Sequence, residues 1–185
     1  MPSKIHEILK KYWGFSSFRP LQEDIIQAAL DKKDALALLP TGGGKSICFQ
    51  VPAIVNEGMC IVVSPLIALM KDQVANLQSR NIAAMAITSN MRKREIDIAL
   101  DNCVFGQYKF LYVSPERLQT EMFLARVAKM NVNLLAIDES HCISQWGYDF
   151  RPSYLNIADI RPLHKKAPIV ALTASATPPV VKDIQ

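Results

Sequence analysis

Short runs of apolar residues recur along the chain, at residues 35–39, 60–63, 83–87, 110–113, 134–137 and 169–172. Most are too short for helices and lack strict polar alternation, a pattern typical of strands buried on both faces of a sheet. Between them lie segments with helical spacing, such as the apolar stripe Leu66, Leu69, Met70, Val74 and Leu77. Strands and helices that alternate in this way predict an α/β fold, a mainly parallel sheet with helices on both faces.

The sharpest chemical signal follows the first run, because ligands of such sheets bind at the carboxyl ends of the strands. A glycine-rich loop begins there and leads into a helical pattern: Pro40, Thr41, Gly42, Gly43, Gly44, Lys45 and Ser46. The glycines let successive backbone N–H groups turn toward phosphate oxygens, and the helix start adds its positive dipole end. Lys45 is then expected to bind the β- and γ-phosphates of ATP, and the Ser46 hydroxyl to bind Mg²⁺. Since Leu39 stands where the general motif has glycine, a glycine turn with an incidental lysine stays open on this segment alone.

Two adjacent carboxylates, Asp138 and Glu139, follow the fifth run and precede Ser140 and His141. Asp138 is suited to the Mg²⁺ shell, and Glu139 to orienting and deprotonating the attacking water, since phosphoryl transfer depends on positioning and charge stabilisation. Taken alone, the pair also fits a solvated loop or a helix cap formed by Asp138. Beside the glycine loop, an ATP-hydrolysing site is favoured.

Together the two segments resemble motifs I and II of the superfamily-two helicases of the DExH type, and further segments resemble the RecQ family of DNA helicases. The resemblance covers nearly the whole chain, from about residue 5 to 185. It implies a RecA-like P-loop three-layer sandwich. It also implies a helical adenine-recognition segment at residues 1–32 and a P-loop core at residues 33–185.

Residues 13–22 resemble the segment with which RecQ helicases bind adenine. By that resemblance Phe15 stacks on the base, Arg19 packs against it, and Gln22 bonds its edge. A glutamine amide offers both a donor and an acceptor to a purine, so the assignment is chemically reasonable. Without the resemblance, simple packing of the aromatic residues is favoured.

Two segments resemble motifs that hold nucleic acid in these helicases. Residues 63–74 look like motif Ia and contain Ser64 and Lys71, and residues 112–118 look like motif Ib and contain Ser114. Hydroxyls and backbone N–H groups that follow strands are suited to phosphate contacts that ignore sequence. Capping of the helices that follow is the alternative for the two serines.

The stretch at residues 142–154 resembles the aromatic-rich loop of the RecQ family. The resemblance implies that Trp146, Phe150 and Arg151 hold single-stranded DNA by stacking and phosphate contact, and that the loop reports DNA binding to the adjacent hydrolytic site. Packing is the alternative for these aromatic residues.

Residues 171–177 resemble motif III, with Ser175 in place of the usual threonine. Serine keeps the hydroxyl, so a hydrogen-bonding role is retained. The resemblance implies that His141 links motif II to motif III, where Thr173 and Ser175 lie, and does not bind a metal. The basic cluster at residues 92–94 is expected to be a solvated helix face.

Composition sets bounds on the class of protein without selecting a function. The 185 residues, half of them apolar, suffice for one buried domain, and 21 basic against 17 acidic residues permit a polyanion partner without requiring one. The four cysteines form no CxxC pair, so neither a zinc site nor a disulfide framework is indicated. With no apolar stretch of the ~18 residues that a membrane span needs and no secretory signal, we expect a cytoplasmic protein, nucleoid-associated if bacterial, without a membrane partner.

These features predict the nucleotide-binding lobe of an ATP-dependent DNA helicase that uses ATP and Mg²⁺ on single-stranded and partial duplex DNA, in repair and recombination by family resemblance. Family members carry a second RecA-like lobe with a catalytic arginine, and nothing after motif III is present here. The chain alone is therefore expected to bind ATP, hydrolyse it weakly and not unwind DNA. A non-motor P-loop NTPase, a DNA-binding pseudo-ATPase and an RNA motor remain as alternatives.

Overall fold

The computed structural model describes residues 3–185, so the first two residues of the predicted adenine-recognition segment lie outside the described residues. Six strands form one sheet in the order β1-β6-β5-β2-β4-β3, and each pairing is parallel. The strands are β1 (Ala35–Leu38), β2 (Met59–Val63), β3 (Ala84–Ile87), β4 (Phe110–Val113), β5 (Val132–Ile137) and β6 (Ile169–Thr173). The predicted parallel α/β sheet is confirmed, and every predicted run overlaps one strand.

Helices connect the strands on both sides of the sheet. Those that the structure describes are α1 (Lys4–Trp13), α2 (Gln22–Leu30), α3 (Lys45–Val55), α4 (Ile67–Gln78), α5 (Lys93–Val104), α6 (Glu121–Val127), α7 (Ile157–Ile160) and α8 (Pro178–Ile184). Short 3₁₀ helices occupy Pro115–Gln119, Ser140–Ile143, Pro152–Asn156 and Arg161–His164.

Two apolar cores cover the two faces of the sheet. Successive strand residues point to opposite faces, so Ile61 and Val63 of β2 belong to one core while Cys60 and Val62 belong to the other. Burial on both sides explains why the strands are continuous apolar runs, and it produces the predicted three-layer sandwich. A third core joins α1, α2 and α3 through residues such as Leu9.

One part of the apolar stripe predicted for α4 is wrong. Met70, Val74 and Leu77 are buried as expected, but the Leu66 side chain is 49% exposed. Leu66 has an extended backbone and precedes the helix, which begins at Ile67. Helical spacing therefore does not apply to it.

Candidate active site at the carboxyl edge of the sheet

The segments with chemical signals meet because their strands are neighbours. The glycine loop follows β1, the segment at residues 174–177 follows β6, and Asp138 follows β5, and these three strands are adjacent in the sheet. In a parallel sheet all carboxyl ends lie at one edge. A cavity of about 590 Å³ opens there between the glycine loop, the segment after β6 and the aromatic-rich loop.

The glycine loop has the shape of a phosphate cradle. Gly44 has φ +74°, a backbone conformation that favours glycine, and immediately precedes α3. A Cβ at Gly43 would lie 2.8 Å from the Pro40 carbonyl oxygen, and one at Gly44 would lie 2.3 Å from Gln22 Nε2. Thr41 is exposed in the loop, and Ser46 is half-buried in the first turn of α3. The close-packed backbone and the helix N-terminus together fit an anionic phosphate group.

The loop lysine reaches the second carboxylate of the motif that follows β5. Lys45 Nζ lies 3.7 Å from Glu139 Oε1, and both side chains are mostly buried. Lys45 is the first residue of α3 and Glu139 follows β5 with φ +50°, so two distant segments converge. The structure thus brings together the two residues predicted to bind phosphate and to activate water.

Asp138 is a buried carboxylate with few polar neighbours of its own. Its Oδ1 accepts only the Glu139 backbone N–H, at 3.0 Å, among the hydrogen bonds of the described residues. Burial, and then the negative charge of Glu139, raise the pKa of Asp138 to about 6, against the opposing effects of Lys45 and the backbone bond. Such a carboxylate, with the Ser46 hydroxyl, is a hard oxygen donor suited to Mg²⁺. The interpretation of Asp138 as a helix cap is not supported, since Glu139 precedes the 3₁₀ helix that follows.

His141 connects Glu139 to the segment after β6. Its Nδ1 lies 3.3 Å from Glu139 Oε2 and 2.8 Å from Thr173 Oγ1. The Thr173 hydroxyl donates to the Ser175 carbonyl at 3.1 Å, so the imidazole donates from Nδ1 to Thr173. Burial lowers the pKa of His141, which favours the neutral ring. His141 and Thr173 are in direct contact, and Ser175 contacts Thr173 through its backbone rather than through its hydroxyl, so a coupling role stays a prediction.

After the role that the sequence predicts for three of them, we call the following mostly buried polar residues the hydrolytic cluster: Lys45, Asp138, Glu139, His141 and Thr173.

The aromatic-rich loop, residues 142–154, exposes two of its rings to solvent. Trp146 is 75% exposed and so is not packed within the described residues, whereas Phe150 is half-buried. The Arg151 guanidinium lies 3.3 Å from Asp149 Oδ2. Tyr148, 78% exposed, stacks on His141 with ring centroids 4.5 Å apart. The loop therefore touches the hydrolytic cluster through a residue that the sequence placed in the aromatic stretch without assigning it a role.

The turn that carries Trp146 is tied to α8. Ser144 is fully buried, and its hydroxyl donates to Asp183 Oδ2 at 2.5 Å and accepts the Trp146 backbone N–H at 3.1 Å. Gly147 closes the turn by donating its N–H to the Ser144 carbonyl at 3.0 Å. Sequence reasoning missed Asp183, because nothing in its local sequence indicates a partner so far along the chain. Tyr154, whose hydroxyl donates to the Asp138 carbonyl at 2.8 Å, was missed for the same reason.

Of the three residues predicted to bind adenine, one is exposed to solvent and two are hydrogen-bonded to the glycine loop. Phe15 is 51% exposed, and the Arg19 guanidinium donates to the Gly42 carbonyl. Gln22 is only 2% exposed, and its Nε2 donates to the carbonyls of Gly43 at 3.3 Å and Gly44 at 3.0 Å. In this arrangement the Gln22 amide supports the loop, so contact with an adenine edge requires an exchange of these bonds and stays a prediction.

The predicted DNA-contacting serines follow neighbouring strands, β2 and β4. Ser64 is buried and, among the described residues, its hydroxyl has no hydrogen-bond partner, while its N–H donates to the Val113 carbonyl at 3.0 Å. Ser114 precedes the 3₁₀ helix Pro115–Gln119, and Lys71 is exposed on α4. Neither serine caps a helix with its side chain: α4 begins three residues after Ser64, and no side-chain cap bond is formed by Ser114.

Comparison with known proteins decides the family. Residues 19–184 match the sequence profile described as DEAD/DEAH box helicase. The chain belongs to this family. It is 47% identical over 186 residues to "ATP-dependent DNA helicase RecQ" of Bacillus subtilis (strain 168), covering 100% of this chain and 32% of that protein. It is 43% identical over 183 residues to "Probable ATP-dependent DNA helicase RecS" of the same organism, covering 98% and 36%.

The resemblance of this DEAD/DEAH box domain to RecQ helicases is thereby confirmed, and the chain spans about a third of the length of those curated relatives. Its fold is similar to that of the DUF1998 helicase MrfA bound to DNA, with a TM-score of 0.78 and 16% identity over 100% of this chain and 28% of that chain. At that identity the likeness concerns the fold, and the RecA-like prediction is confirmed. Within residues 3–185, no helix has both the length and the apolar character to cross a bilayer.

Proposed function

We propose that this domain is the nucleotide-binding lobe of an ATP-dependent DNA helicase similar to RecQ, which couples ATP hydrolysis to translocation on single-stranded DNA and to duplex unwinding. The observation that carries the proposal is the contact of a buried lysine, glutamate and histidine with an exposed aromatic loop at one sheet edge. Hydrolytic groups beside a stacking surface are what a nucleic-acid motor requires. Both relatives are named as DNA helicases, which favours DNA over RNA.

The hydrolytic cluster is suited to divide the work of phosphoryl transfer. Ser46 and Asp138 would hold Mg²⁺, which supplies charge neutralisation on the phosphates when bound. Glu139, oriented by His141, accepts the proton of the attacking water. Lys45 pairs with Glu139 in the structure and is also the cation aimed at phosphate, so an incoming phosphate competes with the carboxylate for the same ammonium group.

Base recognition belongs to the proposal as well. Residues 1–32 form the adenine-recognition segment and residues 33–185 the P-loop core, with Phe15, Arg19 and Gln22 around the base. The support is the position of Arg19 and Gln22, both of which are hydrogen-bonded to the glycine loop.

The nucleic-acid partners are single-stranded and partial duplex DNA. Stacking on Trp146 and Phe150 and phosphate contact by Arg151 hold the strand, and a second group of contacts comes from Ser64, Lys71 and Ser114. A second RecA-like lobe supplies the remaining catalytic cation, which is supported by the much greater length of the relatives. A role in repair and recombination, in the cytoplasm and on the nucleoid of a bacterial source, completes the proposal.

The test is nucleotide binding and turnover by the 185-residue chain. We expect Mg²⁺-dependent binding of an ATP analogue that Lys45→Ala abolishes, and turnover no higher than that of Lys45→Ala with or without single-stranded DNA. Absence of Mg²⁺-dependent binding by the unmodified chain would favour the pseudo-ATPase alternative. Robust DNA-stimulated turnover would contradict the account in which a second lobe supplies a catalytic group.

A further inference from the structure

A chain of three hydrogen-bonded polar side chains crosses one face of the sheet; two of its members, Gln50 and Tyr112, are buried and the third, Gln73, is half-buried. The Tyr112 hydroxyl donates to Gln73 Oε1 at 2.9 Å and accepts from Gln50 Nε2 at 3.4 Å. The three residues belong to β4, α4 and α3, respectively. Because a hydroxyl has one proton to give and lone pairs to accept with, both bonds form at once in a single direction. Burial raises the pKa of Tyr112, which keeps that proton in place.

The surroundings of this chain are apolar. Tyr112 is 1% exposed and lies in the core that contains Phe49, Phe110 and Met70. A buried polar group that loses its partner costs about 1–3 kcal/mol, whereas an apolar side chain of the same shape costs nothing of this kind. Phenylalanine fits the volume of Tyr112, so packing alone does not account for the hydroxyl.

Each of the three residues lies two to four positions along the chain from a residue that is proposed to bind Mg²⁺ or DNA. Gln50 is four residues after Ser46 on α3, and such pairs share a helix face. Tyr112 is two residues before Ser114, and Gln73 two residues after Lys71. The chain of hydrogen bonds thus joins the helix of the phosphate loop to both segments proposed to contact DNA.

The α3 end of this chain borders open space. A cavity of about 290 Å³ is lined by Ser46, Gln50 and Gln73, with Trp13 and Gly44 among its other walls. The Gln50 bond is also the longer of the two. A shift of α3 can therefore change this bond without compressing the core.

We propose that Gln50, Tyr112 and Gln73 form a positioning relay between the phosphate-loop helix and the segments of β4 and α4 that are proposed to contact DNA. Movement at either end of the relay is transmitted to the other end. The inference rests on the proposed function. None of the three is placed to touch the reacting atoms, so their effect is on how strongly nucleotide and DNA influence each other's binding. Such a coupling is reciprocal: each ligand changes the affinity for the other by the same factor.

The test measures that factor directly in the chain, with a non-hydrolysable fluorescent ATP analogue and a labelled oligothymidine. Dissociation constants for each ligand are determined with and without saturating amounts of the other. We expect a coupling factor of about 5 or more in the unmodified chain, and a factor within about twofold of 1 in Tyr112→Phe, with each separate affinity nearly unchanged. The matched control is Tyr108→Phe, a half-buried tyrosine of the opposite sheet edge, which is expected to keep the full factor.

A second variant separates coupling from stability. Tyr112→Phe leaves the buried Gln50 amide without its protein partner, so its melting temperature is expected to fall. The triple variant Gln50→Met, Tyr112→Phe and Gln73→Met removes every polar member and is expected to regain stability while its coupling factor stays near 1. Recovery of coupling together with stability would overturn the relay, as would a full factor in Tyr112→Phe.

Absence of coupling in the unmodified chain would also overturn the relay. It would leave the proposed function intact as long as Lys45→Ala abolishes Mg²⁺-dependent nucleotide binding. Loss of that lysine dependence would instead overturn the proposed function itself.

Discussion

The hydrolytic cluster and the aromatic-rich loop lie side by side but are held in place in different ways. The cluster is mostly buried at the ends of three adjacent strands, and its members bond to one another. The loop exposes Trp146 and Tyr148 and is held in place by one turn. The Ser144 hydroxyl of that turn donates a hydrogen bond to Asp183 of α8. Buried charge next to strand ends suits chemistry, whereas an exposed ring on an anchored turn suits recognition. Substitutions in the two regions should therefore affect different measurements.

The largest effect is expected from Glu139→Gln. With the second lobe present, its kcat should fall about 10²- to 10⁴-fold, because the amide cannot accept the proton of water. Affinity for Mg²⁺-ATP should stay close to that of the parent protein, and a steady-state assay beside a binding titration measures both. Glu121→Gln, on α6, is the matched control. An equal loss of nucleotide affinity would show that Glu139 serves binding rather than chemistry.

Asp138, proposed to bind Mg²⁺, illustrates the cost in stability of a buried carboxylate. Its carboxyl group ionises near pH 6 in the folded chain and near pH 3.8 otherwise. Between these values the folded state holds a proton that the unfolded state has lost, so the free energy of unfolding decreases as pH rises and levels off above pH 6.

In metal-free buffer at neutral pH, Asp138→Asn should therefore raise the free energy of unfolding, by at most about 3 kcal/mol. It should also flatten the pH dependence between about pH 4 and 6 in denaturant titrations. Asp159→Asn, on α7, is the control and should change neither. A less stable Asp138→Asn protein would mean that the carboxylate is needed for folding.

Trp146→Ala tests the loop side of the comparison. Loss of one stacking ring should weaken single-stranded DNA binding by about 1–3 kcal/mol, roughly 5- to 150-fold, while ATP affinity without DNA stays the same. Fluorescence anisotropy of a labelled oligonucleotide measures the change. Phe105→Ala removes an equally exposed aromatic ring beyond α5 and should have no effect. A similar loss in both variants would remove the loop from the DNA interface.

The smallest effect is expected at the anchor of the turn. Asp183→Asn weakens the bond to the Ser144 hydroxyl by about 1 kcal/mol, since a charged acceptor becomes neutral. In a Trp13→Phe background, Trp146 is the one tryptophan left, so its emission reports the turn directly. We expect a changed emission spectrum and slightly weaker DNA binding, with normal nucleotide affinity. An unchanged spectrum would show that the turn holds without α8.

Much of the fold follows from local patterns, while much of the site does not. Strands buried on both faces are continuous apolar runs, which is why all six were predicted within two residues of their ends. The meeting of Lys45 and Glu139 follows from parallel strands with a common ligand edge. The contacts of Gln22 and Asp183 depend on partners brought together by tertiary packing, and no spacing rule encodes such a choice. The predicted burial of Leu66 is wrong because a periodic pattern does not mark the residue at which a helix begins.

Gly44 couples the segment around Gln22 to the glycine loop, because the two residues are in direct contact. A methyl group at this position would collide with the Gln22 amide, and the left-handed backbone would oppose it as well. A loop transplanted from another NTPase would therefore have to bring its own partner for position 22. Substitutions at positions 22 and 44 should therefore be made as a pair, since a side chain at position 44 requires the Gln22 amide to move as well as a left-handed backbone.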